Sequence, residues 1–169
     1  MTYLITKADI ANYRQISDNV PDKVINPYII DAQFNDLQKL LGGDFYNDLI
    51  RNYADSKYVS LLNGGDYEYN GTTYTNVGLK AVISHYAYAR YILLGSNIDT
   101  PFGFVTKDSD SSTQTDLSTK KTIYKENENL AFNYWQNVLL FISRNASDYP
   151  LFTNSCVTRN STFRISKIG

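Results

Sequence analysis

The 169-residue chain carries 16 Lys and Arg against 17 Asp and Glu, a formal net charge of −1, so no global field draws it to nucleic acid or to an acidic membrane. That length fits one domain able to bury a core without disulfide or metal, and Cys156, the only cysteine, excludes an internal disulfide and any Cys-based zinc site. The N-terminal MTYLITKADI has no signal-peptide apolar run, so an intracellular product is expected.

In chain order, Thr6 is placed as an N-cap with Asp9 at the third helical position, and Ile5 and Ile10 as a hydrophobic staple. This first helix is predicted to fade near Ser17, and residues 18–22, with Pro21, read as a loop. Asn26-Pro27 is expected to open a second helix with an apolar row Ile30, Phe34, Leu37 and Leu41. Gly42-Gly43 ends it. Asp44 is then expected to cap a third helix carrying Phe45, Leu49 and Tyr53, and residues 56–62 to make a short turn before Asn63-Gly64-Gly65.

Residues 66–75, DYEYNGTTYT, give the one clear strand signal. Asn70-Gly71 between β-formers predicts a two-residue hairpin with a type I′ turn. Tyr67 then pairs with Tyr74 and Tyr69 with Thr72, so the three tyrosines share a face. Such a face can bind a sugar or base, but an isolated hairpin is marginal in water, which favours packing on helices beneath. Next, LKAVISHYAYARYILL, Leu79–Leu94, has two neighbouring apolar rows, Val82/Tyr86/Ala89/Leu93 and Leu79/Ile83/Ala87/Leu94. A helix apolar over most of its circumference is a buried core helix, around which the rest of the chain is organised. Gly95 suits a left-handed C-terminal cap. His85 reads as a packed core-edge residue and Arg90 as snorkelling or ion-paired.

Residues 99–118 read as one long loop, apolar at Pro101-Phe102-Gly103-Phe104-Val105 and then polar and acidic. A calcium loop needs Gly at position six and Glu at position twelve. Counted from Asp108 these are Thr113 and Thr119. The longest helix is predicted over residues 119–144, with Ile123, Leu130, Tyr134, Val138 and Phe141 on one stripe and Trp135 and Ile142 beside it, paired with Leu79–Leu94. The fold class is therefore mainly α: a small helical bundle over residues 1–145 with a short β-hairpin, followed by an extended C-terminal arm over residues 146–169. Charge is uneven. Residues 1–76 hold 10 acids and 6 bases, whereas residues 145–169 hold Asp148 against Arg159, Arg164 and Lys167.

No Walker loop, dinucleotide fingerprint or G-x-S-x-G elbow occurs. A single His excludes a His-based metal cluster. No catalytic residue, metal ligand or cofactor site is assigned.

Four stretches resemble small virion proteins of tailed bacteriophages, especially crAss-like and related phages of Bacteroidetes. They are Leu4-Ile5-Thr6-Lys7-Ala8-Asp9-Ile10; Asp31-Ala32-Gln33 leading to Asp36-Leu37-Gln38; Gly78-Leu79-Lys80-Ala81 running into Tyr86-Ala87-Tyr88-Ala89-Arg90; and Thr100-Pro101-Phe102-Gly103-Phe104. The order of elements is also similar to head-to-tail connector proteins, called adaptor, head-completion or ring proteins. The resemblance implies a virion protein, made in the host cytoplasm and placed in the neck between capsid and tail. It implies a subunit copied around a ring, commonly dodecameric, that docks below the portal protein, meets adjacent neck or tail proteins and extends the DNA channel. DNA would pass without sequence-specific binding, no membrane partner is implied, and the family brings no catalytic residues. On this reading Phe102, Phe104 and Val105, with Phe163, Arg164, Ile165, Lys167 and Ile168 in the arm, contact neighbouring subunits, the portal or the next ring. The alternative is a non-enzymatic binding module using Tyr67, Tyr69 and Tyr74 for a glycan or protein.

Overall fold

The structure, a computed structural model, describes residues 2–95, 97–100, 103–106 and 115–153. It is mainly helical, with antiparallel two-stranded hairpins. Helix α1, Lys7–Ala11, starts as predicted. Thr6 and Asp9 form a reciprocal capping box, and Ile5 and Ile10 are both buried. It stops at Ala11 rather than near Ser17, and turns carry the chain onward.

The second helix corrects the sequence reading. It begins at Asp22, not at Asn26-Pro27, and α2, Asp22–Asp31, holds Pro27 in its interior. Proline there leaves the Lys23 carbonyl without its i+4 donor. Both residues lie on the solvent side, where water can take that carbonyl. A π-helical segment, Ala32–Leu37, follows and leads into α3, Gln38–Leu41. The wider π turn changes which residues face inward. Ile25, Ile29, Gln33, Leu37 and Leu41 are buried at strict four-residue spacing. In a pure α-helix that spacing drifts around the axis by about 40° per step, and the π turn takes up part of the drift. The predicted row therefore holds at Leu37 and Leu41 but fails before them, where Ile30 is half-buried and Phe34 exposed.

Helix α4, Gly43–Asn52, is capped by Gly42 rather than by the Asp44 side chain, and Asp44 sits in its first turn. Phe45 and Leu49 are buried, but Tyr53 lies past the helix end and is exposed. The predicted short turn is a two-turn helix, α5, Ser56–Asn63. Strands β1, Gly65–Tyr69, and β2, Thr72–Asn76, pair in the predicted register, Tyr67 with Tyr74 and Tyr69 with Thr72. Asn70 and Gly71 both have positive φ, as a type I′ turn requires.

Helix α6 spans Leu79–Leu94, and Leu79, Val82, Ile83 and Ala87 are completely buried. Gly95 is not a left-handed cap: its φ is −69°, and a Cβ there would lie 2.5 Å from the Tyr91 carbonyl oxygen. Tight closure on Tyr91 explains the glycine. Part of the predicted 99–118 loop is a second hairpin, β3, Asn97–Thr100, with β4, Gly103–Thr106. Helix α7, Leu117–Arg144, then packs along α6 in the most extensive pairing of the fold. Its buried stripe runs through Asn127, Ala131, Trp135, Val138 and Ile142, with Phe141 beside it. Ile123, Leu130 and Tyr134 are at the margin. Beyond α7, the first residues of the predicted arm turn back on the bundle. Tyr149 is buried and its hydroxyl donates to the Lys57 carbonyl at 2.9 Å. Phe152 meets Phe45 and Trp135 edge-on, with ring centres 5.6 and 6.2 Å apart.

Candidate interaction surfaces

The polar groups that the sequence singles out are engaged inside the bundle. His85 is buried, stacked on Tyr134 at 5.0 Å and tilted against Tyr13. Its Nδ1 lies 3.2 Å from Asn127 Oδ1, the oxygen that also accepts from Arg14 Nε at 2.7 Å. Burial pushes its pKa below the usual histidine value, and the Arg14 charge adds to this against the Asn127 hydrogen bond. Arg90 is ion-paired, with its Nε and Nη2 donating to Asp36 at 2.6–3.2 Å. Burial raises the Asp36 carboxyl above its usual range despite the Arg90 contacts. Among the described residues no group of three or more His, Cys, Asp or Glu could hold a metal ion, and no helix is long and apolar enough to cross a membrane.

The tyrosine face of the first hairpin packs inward, onto α7. Tyr67 meets Phe141 edge-on at 4.9 Å. The Arg144 guanidinium lies 3.7 Å from the Tyr74 ring centre, 4.9 Å from Tyr69 and 5.9 Å from Tyr67, and Nη1 donates to the Tyr67 hydroxyl at 2.9 Å. The rings supply a negative π face to a cation whose fork also finds an oxygen. On the other hairpin face Thr73 and Thr75 donate to Glu68 and Asp66. The base is fixed by Asn137 of α7, which accepts from the Val77 N–H and donates to the Thr75 carbonyl. Arg144 thus fills the face that a glycan would need, leaving mainly Tyr69 exposed at its edge. Sequence alone could not pair Arg144 with residues so far away along the chain.

Of the predicted subunit contacts, Phe104 and Val105 lie on β4, opposite Asp99 and Ile98 of β3. Phe102, Phe163, Arg164, Ile165, Lys167 and Ile168 lie outside the described residues. The described surface offers other apolar groups that the sequence reading missed. On the outer face of α7, Phe132 is 52% and Leu140 46% exposed. They belong to a stripe with Lys125, Asn129, Gln136 and Ser143, whose spacings of three and four residues put them on one side of a helix. On α2 and the π segment, Val24 and Phe34 are exposed, and Phe34 rests edge-on against Tyr46 at 5.7 Å. Phe132 and Leu140 were legible as apolar residues opposite the predicted inward stripe. Phe34 was not, because the π turn that expels it leaves no sequence mark.

No curated protein and no solved structure matches the chain. A family model does match, over residues 37–162, which include α3 to α7 and both hairpins. On that match the chain belongs to DUF6712, a family of unknown function.

Proposed function

We propose that the protein is a structural virion subunit, a ring-forming head-to-tail connector that docks below the portal and extends the DNA channel toward the tail. The sequence resemblance suggests this reading, and one structural observation carries it further. Large apolar side chains are exposed in two separate regions, Phe132 and Leu140 on α7, and Val24 and Phe34 on α2 and the π segment that follows it. A two-fold dimer uses one self-complementary patch, whereas a closed ring needs two unlike patches that fit each other head to tail. The near-neutral net charge suits a channel wall past which DNA slides, since strong phosphate neutralisation holds DNA in place.

The test is the native mass of the full chain across a wide concentration range, with Phe132→Glu and Phe34→Glu as variants. The wild type is expected to form one closed oligomer, and each variant to stay monomeric with unchanged helix content. Each variant retains the opposite patch, so an equimolar mixture should stop at dimers. A wild type monomeric at every concentration, or two variants that assemble normally, defeats the reading. The competing proposal, a binding module on the hairpin, rests on the exposed part of Tyr69. Replacing Tyr67, Tyr69 and Tyr74 together by Ala should then abolish binding in a glycan or protein screen without unfolding the chain. Global unfolding would instead mark the face as core.

A further inference from the structure

Three parts of the chain meet at His85: the segment after α1, helix α6 and helix α7. The Asn127 amide has a defined orientation, because its Nδ2 donates to the Ile123 carbonyl at 2.8 Å and its Oδ1 accepts from Arg14 Nε at 2.7 Å. His85 Nδ1 lies 3.2 Å from that same Oδ1. An amide oxygen can only accept, so Nδ1 carries the ring proton. Nε2 is then a bare lone pair, buried and without a hydrogen-bond partner. We infer that this junction is a proton-sensitive latch that holds α1 and its flanking residues on the α6–α7 pair.

A second proton on His85 must go to Nε2, where no acceptor faces it, and it places a cation beside Arg14. Among the described residues, the charged and titratable groups around the ring are Tyr13 and Arg14 after α1 and Tyr134 on α7. The nearest carboxylate described on α1 is Asp9, already paired with Lys80 of α6 at 3.1 Å. The Asn127 oxygen and the tyrosine rings favour the new charge, but burial of the ring and the Arg14 guanidinium outweigh them, and the ring has to leave its place between Tyr13 and Tyr134. Its departure removes one of the two donors that share Asn127 Oδ1. Release falls on α1 rather than on α6 and α7. A five-residue helix has no stability of its own, and beside the burial of Ile5 and Ile10 it is held by polar ties. Lys7 donates to the Asp18 and Val20 carbonyls, Lys80 pairs with Asp9, and Arg14 bonds Asn127.

Hydrogen exchange of the full chain, corrected for the intrinsic pH dependence, tests the latch. Between pH 8 and pH 5, amides of residues 4–14 should lose at least tenfold in protection while α6 and α7 hold theirs. His85→Gln can still donate to Asn127 but takes no proton, so its residues 4–14 should show no such loss. Arg14→Gln removes the neighbouring cation and should move the onset to higher pH. The latch is overturned by equal protection at both pH values in the wild type. It is equally overturned by loosening of all elements together, or by an undiminished pH response in His85→Gln. Should that variant fail to fold, an unmoved onset in Arg14→Gln overturns it.

Discussion

Gly64 and Gly78 cross at the base of the first hairpin, both with positive φ. A Cβ on Gly78 would sit 2.5 Å from the Gly64 nitrogen and 2.5 Å from the Leu62 carbonyl oxygen, backbone atoms that cannot swing away. Gly71 also has positive φ, but open space surrounds it. Alanine at Gly71 therefore meets only the left-handed backbone penalty, about 1–2 kcal/mol. Gly78→Ala adds a steric clash and should cost at least about 3 kcal/mol; equal urea midpoints for the two variants would contradict this. The Asp36–Arg90 pair gives a second prediction at this scale. Burial is the largest influence on Asp36 and raises its pKa, only partly offset by Arg90. Arg90→Met leaves that burial opposed only by the Lys39 charge and should cost about 3 kcal/mol at pH 7. The folded variant then holds a proton that the unfolded chain releases above its ordinary carboxylate range, so its stability falls as pH rises through the folded pKa. The deficit against wild type should accordingly shrink as pH drops toward 4. Asp9 runs the opposite way. Burial raises its pKa, but hydrogen bonds from Thr6 and Lys80 outweigh burial and hold it low. Its contribution is full above the unfolded carboxylate pKa and is lost as pH falls through the folded one.

At the scale of elements, the hairpin β1–β2 is held on α7 by Tyr67 against Phe141, by Asn137 and by Arg144 under the three tyrosines. Arg144→Ala removes the cation–π contacts, worth about 1 kcal/mol at a half-exposed site, and the hydrogen bond to Tyr67. Exchange of the β1 and β2 amides should quicken while that of α6 stays unchanged; unaltered hairpin exchange would show that Asn137 and Phe141 suffice. The elements legible in the sequence are those with a local cause. Asn70-Gly71 fixes a turn and hence a register, the Thr6–Asp9 pair fixes a helix start, and the apolar rows of Leu79–Leu94 fix a core helix. The elements misread depend on distant context. Pro27 looks like a helix opening, yet it is tolerated inside α2 because the carbonyl it leaves free faces water. The π segment moves Phe34 outward and Gln33 inward, where Gln33 accepts from the Leu4 N–H and donates to the Thr2 carbonyl, tying down the N-terminal segment. Strands β3 and β4 are four residues each, too short to show an alternation. The α7 face bearing Phe132 and Leu140 was readable only as the side left over once the inward stripe was drawn.

For the whole molecule, charge and family extent together set the last prediction. Residues 1–76 carry 10 acids and 6 bases, and residues 145–169 carry one acid and three bases. A C-terminal segment of opposite sign to the body suits contact with a neighbouring copy in the proposed ring. The family match ends at residue 162, so Phe163, Arg164, Ile165, Lys167 and Ile168 fall beyond it, while the core residues of α4, α5, α6 and α7 fall within it. Deleting residues 160–169 should therefore leave the bundle intact, with wild-type helix content by circular dichroism and an unshifted Tm for the monomer. Assembly should suffer: the closed oligomer is expected to weaken or vanish by native mass. Since exposed charges are screened beyond a Debye length of about 8 Å at physiological salt, raising the salt should weaken wild-type assembly more than that of an Arg164→Gln, Lys167→Gln double variant. Normal assembly of the truncated chain would remove the arm from the interface and leave the α7 and π-segment patches to close the ring alone. An equal salt response in wild type and double variant would keep the arm but assign its contribution to Phe163, Ile165 and Ile168. Apolar burial at an interface does not depend on screening.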